Sequence, residues 1–376
     1  MPGSPSRVAV IFGGPSPEHD VSILTGLLTC HELVATRAKD TVTGIYWSRT
    51  GAFSEIDPTL EAADFLKGSP PSAEALELST GSGGGFTRRR GRLGSGRERL
   101  QFDVAVVCCH GGPGEDGTLQ GALDLAGIAY SGPTAMGAAL GMDKLATAGI
   151  LAAAGVSVLP RSLLVPESEP VGYDGPYIVK PRFGGSSIGI DVVKDFETAK
   201  LRLSANVHLR RGAVLEPYRE DLYDIQVGVR SFPALELSAI ERPVRQRSGS
   251  EILNYSDKYV GGEGMHTAAR ELPARISDEL ETRLRTDARL AAKLLQIRGI
   301  ARIDFLSDGD ALYLNEVNTI PGSLSRHLFI SPARSFSELL DDAMNEALSY
   351  PAAVFSSTGA DGTVLRTAGS ISSKLG

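Results

Sequence analysis

Two acidic side chains, an amide and an arginine lie on two predicted strands that form a β-hairpin in the last third of the chain. Residues 301–317 predict two strands joined by a Ser-Asp-Gly-Asp turn. Side chains two residues apart on a strand share a face, so Glu316 and Asn318 project together, and Asp304 on the partner strand can join them. Three oxygen ligands suit magnesium, and Arg302 adds a positive charge for a phosphate oxygen. The alternative is an exposed polar sheet face.

A lysine at the end of a predicted strand is followed by a glycine- and serine-rich loop. The strand at 177–180 ends at Lys180, and the loop Gly184-Gly185-Ser186-Ser187 comes next. The lysine charge and the backbone N–H groups of such a loop can bind phosphates. It is not a Walker loop, because the lysine precedes the glycines. Alone this pattern indicates a flexible turn, whereas together with the hairpin it indicates a nucleotide–magnesium site.

Two further glycine-rich turns follow apolar strands in the first third of the chain. The strand at 7–12 leads through Gly13-Gly14 into an apolar-periodic helix, and the strand at 103–107 leads to His110-Gly111-Gly112. Alternating strands and helices predict an α/β lobe with a mostly parallel sheet, which binds ligands at the carboxyl ends of its strands. The first turn lacks the G-x-G-x-x-G spacing, so dinucleotide binding is not supported.

Length and composition narrow the class of protein. A chain of 376 residues predicts two or three lobes, and a net charge of −7 argues against a nucleic-acid-binding surface. Three cysteines fit a reducing cytosol, and the lack of an apolar run of about eighteen residues predicts no membrane span. The Ser-, Gly-, Pro- and Arg-rich stretch 67–99 is expected to be a long surface insertion with one weak hairpin, and residues 88–92 are expected to lie in a solvated loop.

Taken together, these motifs resemble the D-alanine–D-alanine ligase family of the ATP-grasp superfamily. The matching segments, in family order, are VAVIFGGPSPEHDVS (8–22), HGGPGEDGTLQGALDLAGIAYSGP (110–133), MDK (142–144), YIVKPRFGGSSIGI (177–190), NYSDKY (254–259), and GIARIDF with LYLNEVNTIPG (299–322).

The resemblance implies an α/β (α+β) ATP-grasp fold of three lobes. These are a Rossmann-like parallel-sheet lobe (1–132), a small central lobe (133–216), and a C-terminal antiparallel-sheet lobe (217–376) with a mobile loop at about 251–266. It also implies an enzyme that joins two amino acids through an acyl phosphate at the expense of ATP, with D-alanyl-D-alanine for peptidoglycan as the product.

The resemblance further implies a role for individual residues. ATP would be bound by Lys144, Lys180, Ser187, Glu216, Tyr218, Asp224 and Lys258. Two Mg2+ ions, replaceable by Mn2+, would be held by Asp304, Glu316 and Asn318. The catalytic set would be Glu18, Ser186, Tyr259, Arg302 and Gly322. Within it, Glu18 holds the first ammonium group, Ser186 and Tyr259 link Glu18 to the mobile loop, and the Gly322 N–H donates to the oxyanion. The substrate positions would be Glu18, His110, Ser325, His327 and Leu328.

The segment after Gly322 departs from the family pattern. Leu324 stands where the family has threonine, and His327 stands where it has serine, at positions that hold the carboxylate of the second amino acid. Two interpretations stay open. Either Ser325 or a backbone N–H takes over this task, or the acceptor is another amino acid or a hydroxy acid, used in resistance or secondary metabolism.

The resemblance also implies small amino-acid substrates, a homodimer and a cytoplasmic location, without nucleic-acid or membrane partners. A nucleotide-binding protein without ligase activity and a kinase are two alternative classes of protein. A shell that binds nucleotide without ligating would be expected to lose one of the four polar hairpin residues, and all four are present. A kinase would need an acceptor hydroxyl and would not need Glu18, Ser186 and Tyr259.

Overall fold

The computed structural model describes residues 5–68, 70–81, 83–90, 96–244, 270–350 and 358–368. Lys258, Tyr259 and the expected loop at about 251–266 lie outside the described residues.

A seven-stranded sheet forms the N-terminal part. Its strands are β1 Val8–Gly13, β2 Val42–Trp47, β3 Phe53–Ile56, β4 Glu74–Ser79, β5 Gly85–Arg90, β6 Gly96–Arg99 and β7 Val104–Val107. The order is β6-β5-β4-β3-β2-β1-β7. Only β7, β1 and β2 pair in parallel, and the strands from β3 to β6 are antiparallel. Every residue of β1 and β7 is buried, which explains their unbroken apolar sequences.

The described residues of the stretch 67–99 form more than the surface insertion with one weak hairpin that its composition predicts. Strands β4, β5 and β6 extend the first sheet through antiparallel pairing. Arg88, Arg89 and Arg90 lie in β5 rather than in a loop, whereas Arg92 lies outside the described residues. The Arg88 side chain forms an ion pair with Glu55 of β3, and the Arg89 side chain forms one with Glu77 of β4. The partners belong to other strands, so the local composition does not reveal the cross-strand ion pairs.

Two antiparallel sheets follow. The second sheet contains β8 Ser162–Leu164, β9 Tyr177–Pro181, β10 Asp191–Val193 and β11 Ala213–Pro217, in the order β10-β9-β11-β8. The third contains β12 Tyr223–Arg230, β13 Glu236–Pro243, β14 Arg270–Glu271, β15 Ile300–Ser307 and β16 Leu312–Asn318, in the order β14-β13-β12-β15-β16. The expected lobe boundary at 216/217 falls within β11.

The helices of the described residues begin and end as follows. They are α1 His19–Thr36, α2 Gly112–Glu115, α3 Thr118–Ala126, α4 Ala135–Met142, α5 Lys144–Ala153, α6 Phe196–Ala205, α7 Asp278–Leu294, α8 Phe336–Ser349 and α9 Thr363–Ala368.

The hairpin β15–β16 forms as its sequence predicts, and its alternation separates a core face from a polar face. Ile303 and Phe305 are fully buried in a cluster that includes Leu284 of α7. Burying a side chain of this size contributes roughly 1.5–3 kcal/mol, so the apolar face fixes the register of the strand. Arg302 and Asp304 alternate with these residues and therefore lie on the opposite face of the sheet.

Candidate functional site

Four strands of the third sheet place polar side chains in one row. Glu241 of β13 pairs with Gln226 of β12, Gln226 pairs with Asp304 of β15, and Asp304 pairs with Glu316 of β16. Directly paired residues of antiparallel strands share a face, so the four side chains form a continuous polar strip. The sequence motif contains only two of them, Asp304 and Glu316.

The predicted magnesium ligands lie together at one end of this strip. Asn318 Nδ2 donates to Asp304 Oδ2 at 3.0 Å, and Asp304 pairs directly with Glu316 across the hairpin. The Arg302 guanidinium binds both Asp304 oxygens, at 2.6 and 2.8 Å. Two carboxylates and an amide are hard oxygen donors of the kind that Mg2+ prefers, so the donor set fits this ion. Within the described ranges, no group of three or more His, Cys, Asp or Glu side chains is a candidate metal centre, so the site depends on the amide of Asn318.

The two predicted phosphate-binding lysines lie beside the same hairpin. Lys144 begins α5 directly after the N-cap Asp143, and its Nζ lies 3.2 Å from Glu316 Oε2. Lys180 ends β9, and its Nζ donates to Glu216 Oε2 at 2.9 Å and to Asn315 Oδ1 at 3.1 Å. Both lysines are buried. The structure therefore brings the lysines and the carboxylate hairpin together, although 172 positions separate Lys144 from Glu316 in the sequence (316 − 144).

Glu216 has a second cationic partner that the sequence analysis missed. Its carboxylate is fully buried, and Oε1 lies 2.7 Å from Arg161 Nε. Burial alone would raise the pKa of Glu216, but Lys180 and Arg161 hold that pKa below its usual value. Arg161 follows a proline just before β8 and belongs to none of the motifs, so no local signal identified it.

The other residues expected to bind ATP lie on neighbouring elements. Tyr218 follows β11, and its backbone N–H donates to Pro176 O at 2.8 Å. Asp224 lies in β12 opposite Leu306 of β15. Ser187 adopts a left-handed backbone conformation, with φ of 58°, in the glycine–serine loop.

The glycine–serine loop reaches the N-terminal part of the chain through Glu18. Ser186 Oγ donates to Glu18 Oε1, a contact between two residues that the family resemblance links. A Cβ at Gly185 would lie only 2.9 Å from Glu18 Oε2, and one at Gly111 would collide with the same oxygen. Glycines therefore flank the carboxylate on two sides, because only they allow the backbone to approach it this closely.

His110 is joined to the turn Gly322–Leu328 through Thr25, which the sequence analysis also missed. His110 Nε2 lies 2.8 Å from Thr25 Oγ1, and the backbone N–H of Ser323 donates to the same hydroxyl at 3.0 Å. Burial lowers the pKa of His110 to about 4, so the ring is neutral at neutral pH. Thr25 lies on α1 among apolar residues, where a buried threonine has no distinguishing pattern.

Glu115 forms a second connection between the first sheet and the turn near Gly322. Its carboxylate accepts from the Gly111 N–H at 2.9 Å and from the Ile320 N–H at 3.1 Å. Burial, together with the nearby charge of Glu18, raises the pKa of Glu115 to about 7. The carboxylate thus holds in place the backbone two residues before Gly322.

The turn that carries the remaining substrate candidates is strained. It spans Gly322–Leu328, and Ser323, Leu324 and Ser325 have φ values of 48–49°. Such left-handed conformations are costly for residues other than glycine and are found mainly at functional sites. Ser325 and Leu328 are completely buried, and within the described part of the chain the Ser325 hydroxyl has no hydrogen-bond partner.

His327 points to the end of the polar strip opposite the magnesium candidates. Its Nε2 lies 3.2 Å from Glu241 Oε2. Gln226 donates to the same oxygen, and Arg270 lies 3.2 Å from Glu241 Oε1. Burial would raise the pKa of Glu241, but the hydrogen bond from His327 and the charges around it hold that pKa below its usual value. A buried, ionised carboxylate therefore lies behind the residue that departs from the family pattern.

Comparison with known proteins agrees with this arrangement. The family model described as D-ala D-ala ligase N-terminus matches residues 7–133, and the model described as D-ala D-ala ligase C-terminus matches residues 153–357. The chain is 32% identical to the D-alanine–D-alanine ligase of Corynebacterium aurimucosum, over 92% of this chain and 98% of that protein. It is 33% identical to the corresponding enzyme of Pelodictyon phaeoclathratiforme, over 91% and 97% of the two chains.

Solved structures show the same fold. The D-alanine–D-alanine ligase of Helicobacter pylori matches with a TM-score of 0.69 and 24% identity, over 93% of this chain and 99% of that chain. The VanG D-Ala:D-Ser ligase of Enterococcus faecalis matches with a TM-score of 0.72 and 25% identity, over 91% and 99%. None of the helices in the described part of the chain is long and apolar enough to cross a bilayer. From the two family models and the relatives above 30% identity, the chain belongs to the D-alanine–D-alanine ligase family.

Proposed function

We propose that the protein is an ATP-dependent ligase that joins D-alanine to D-alanine and releases ADP and phosphate. The observation that carries this proposal is the convergence of three groups in one place. These groups are the paired lysines, the carboxylate hairpin, and the Glu18–Ser186 link to the first sheet. The first two suit transfer of a phosphoryl group, and the third suits an amino-acid substrate beside it.

The first step is transfer of the γ-phosphoryl group to the carboxylate of the first D-alanine. A carboxylate is a poor electrophile, and phosphorylation converts it into an acyl phosphate with a good leaving group. Lys144 and Lys180 bind phosphate oxygens, and Arg302 stabilises the charge on the transferred group. Glu18 binds the ammonium group of the same substrate, and its contact with Ser186 orients the carboxylate.

Asp304, Glu316 and Asn318 would hold Mg2+, for which their oxygens are suitable donors. When bound, the ion would neutralise the charge of the phosphate groups during transfer. Two ions, with Mn2+ as a substitute, are part of this proposal. Because Arg302 binds both oxygens of Asp304 in this structure, the guanidinium and the ion would share that carboxylate.

The second step is attack by the amine of the second D-alanine on the acyl carbon. The C–N bond forms first and the carbonyl electrons move onto oxygen, which gives a tetrahedral oxyanion. Its collapse restores the carbonyl, breaks the C–O bond to phosphate and releases phosphate, while the nitrogen loses its proton to solvent. The Gly322 N–H donates to the tetrahedral oxyanion. Water would hydrolyse the acyl phosphate, so the reaction needs a closed site, and the loop at about 251–266, with Lys258 and Tyr259, is proposed to close it.

An acceptor other than D-alanine is the second candidate, because Leu324 and His327 depart from the family pattern at the positions expected to hold the acceptor's carboxylate. His327 lies 3.2 Å from the buried Glu241 carboxylate, which disfavours a second carboxylate beside it unless the imidazole between them is protonated.

The wider assignment is also a proposal. The resemblance and the family support a cytoplasmic homodimer with the three lobes 1–132, 133–216 and 217–376, acting in peptidoglycan synthesis. Neither nucleic acid nor membrane is a proposed partner.

A panel of D- and L-amino acids and hydroxy acids, each supplied with ATP and D-alanine, tests the proposed function. Phosphate release should require both ATP and an amino acid, and mass spectrometry should identify D-alanyl-D-alanine. ATP hydrolysis without a dipeptide would refute the ligase proposal. A phosphorylated product would indicate a kinase, and a product formed with another acceptor would establish the second candidate.

A further inference from the structure

A single buried arginine contacts three elements of the proposed nucleotide site. The side chain of Arg161 is 3% exposed. Its Nη1 donates to the backbone oxygen of Lys144 at 2.6 Å, and its Nη2 donates to the backbone oxygen of Asn315 at 3.1 Å. Its Nε lies 2.7 Å from Glu216 Oε1, without hydrogen-bond alignment, so this third contact is an ion pair.

These contacts relate Arg161 to both phosphate-binding lysines. Lys144 belongs to α5, and Asn315 precedes the proposed metal ligand Glu316 on β16. Asn315 Oδ1 also accepts from Lys180 Nζ at 3.1 Å. The guanidinium therefore fixes the backbone at Lys144 and at Asn315, the residue next to Glu316.

The charges around Lys180 give Arg161 a second role. Lys180 and Arg161 each carry a positive charge, and the single carboxylate between them, Glu216, carries a negative one. The cluster has a net charge of +1, from two positive charges and one negative charge. Without Arg161, Glu216 would neutralise Lys180, and in a buried environment such a pair offers little attraction to a phosphate.

We propose that Arg161 is a positioning residue of the nucleotide site, which neutralises Glu216 so that Lys180 keeps its charge for a phosphate. This inference rests on the proposed ATP-dependent function. Loss of a merely structural arginine would lower stability without an effect on ADP affinity that depends on Glu216. The charge-balancing role predicts a loss of ADP affinity that is offset when the charge of Glu216 is also removed.

The test is a double-mutant cycle on ADP affinity, measured by isothermal titration calorimetry with Mg2+ present. Arg161→Leu should weaken ADP binding by about tenfold or more, because it leaves Glu216 with only Lys180 as a partner. In the Glu216→Gln background the same change should cost about threefold or less, since no carboxylate remains to neutralise Lys180. The Glu216→Gln single variant serves as the reference for any role of Glu216 in binding the base.

Arg230→Leu is the matched control. Arg230 is also buried and ion-paired, but its partners are Glu236 and Asp342, away from the lysines. It should lower the melting temperature and leave ADP affinity unchanged. If Arg161→Leu does not fold, Arg161→Gln replaces it in both backgrounds, with the same expected difference.

Each outcome decides the inference. A loss of ADP affinity that occurs only when Glu216 is present supports the inference. An equal loss in both backgrounds, or no loss in either, overturns it while the proposed nucleotide function stands. Failure of the wild-type protein to bind ADP overturns both.

Discussion

Replacing Glu241 with glutamine should change how acceptor binding depends on pH. The ionised Glu241 carboxylate can only accept hydrogen bonds, so the His327 Nε2 beside it must carry a hydrogen. The other ring nitrogen, Nδ1, then carries a hydrogen only in the imidazolium form. In the wild-type enzyme, therefore, His327 can donate to an acceptor carboxylate only when it is protonated, and acceptor affinity should fall as the pH rises.

The charged groups around His327 include an ionised Glu241. The pKa of Glu241, which burial would raise, is held below its usual value by the His327 hydrogen bond and by Arg270, so Glu241 stays ionised near neutral pH. The other charged groups on the polar face of the packed strands include Arg302, its partner Asp304, Glu316 of β16 and Asp224 of β12.

The size of the effect follows from the two kinds of hydrogen bond. A hydrogen bond to a charged group contributes about 1.5–3 kcal/mol, and wild type loses this whole bond on deprotonation, because the neutral ring has no hydrogen on Nδ1. The acceptor KM should therefore rise by roughly ten- to a hundredfold as the pH rises. In Glu241→Gln the amide can donate to Nε2, which leaves the hydrogen of the neutral ring on Nδ1 at every pH. At low pH the variant should bind the acceptor about tenfold more weakly than wild type, because a neutral donor replaces a charged one. At high pH it should bind the acceptor more tightly than wild type, by roughly two- to tenfold, because only the variant keeps a hydrogen on Nδ1.

The assay is the initial rate at saturating ATP, with kcat/KM for the acceptor measured from about pH 5.5 to 8.5, across the range in which histidine titrates. The ratio of wild type to variant cancels the titration of the substrate amine, which is common to both. His327→Ser restores the usual family residue and should give the same flat profile, while the KM for ATP stays unchanged in both variants. Parallel pH profiles of kcat/KM for all three proteins would refute the reasoning and indicate that His327 does not bind the acceptor.

The remaining predictions concern the metal candidate, the nucleotide and the loop. Glu316→Gln should keep the melting temperature close to that of wild type but abolish turnover, and a loss of only a few-fold would contradict the magnesium assignment. Lys180→Ala should raise the KM for ATP strongly in steady-state assays. An unchanged KM would indicate that Lys180 and the glycine–serine loop do not bind the ATP phosphates. Tyr259→Phe removes a hydroxyl worth roughly 0.5–1.5 kcal/mol and should increase the ATP hydrolysed per dipeptide formed, measured as the phosphate-to-dipeptide ratio. An unchanged ratio would count against its role in closing the site.

The sequence was sufficient to predict the hairpin and the residues that it presents. Alternation between apolar and polar side chains identifies β15 and β16, because each strand buries one face against α7 and exposes the other. The Glu18–Ser186 contact followed from the resemblance rather than from local pattern, since 168 positions separate the two residues.

Features that depend on distant partners could not be predicted in this way. The stretch 67–99 is rich in residues typical of loops, yet β4 to β6 pair with the sheet, and arginines of β5 form ion pairs with glutamates on neighbouring strands. Arg161 and Glu241 are single charged residues outside any motif. What gives each of them a role is burial next to an opposite charge, which only the three-dimensional arrangement reveals.

Side chains of α1 and α2 hold in place the backbone around Gly322, the proposed donor to the oxyanion. Thr25 binds the Ser323 N–H across 298 positions, and Glu115 binds the Ile320 N–H across 205. The backbone is therefore held two residues before Gly322 and one residue after it. A donor fixed in this way needs no reorganisation when the oxyanion forms, which is the condition under which such donors are most effective. The groups that fix it come from α1 and from α2, and α2 directly follows Gly111, which lies beside Glu18. The proposed donor and the proposed site of the first substrate are therefore held in one rigid arrangement before the second amino acid binds.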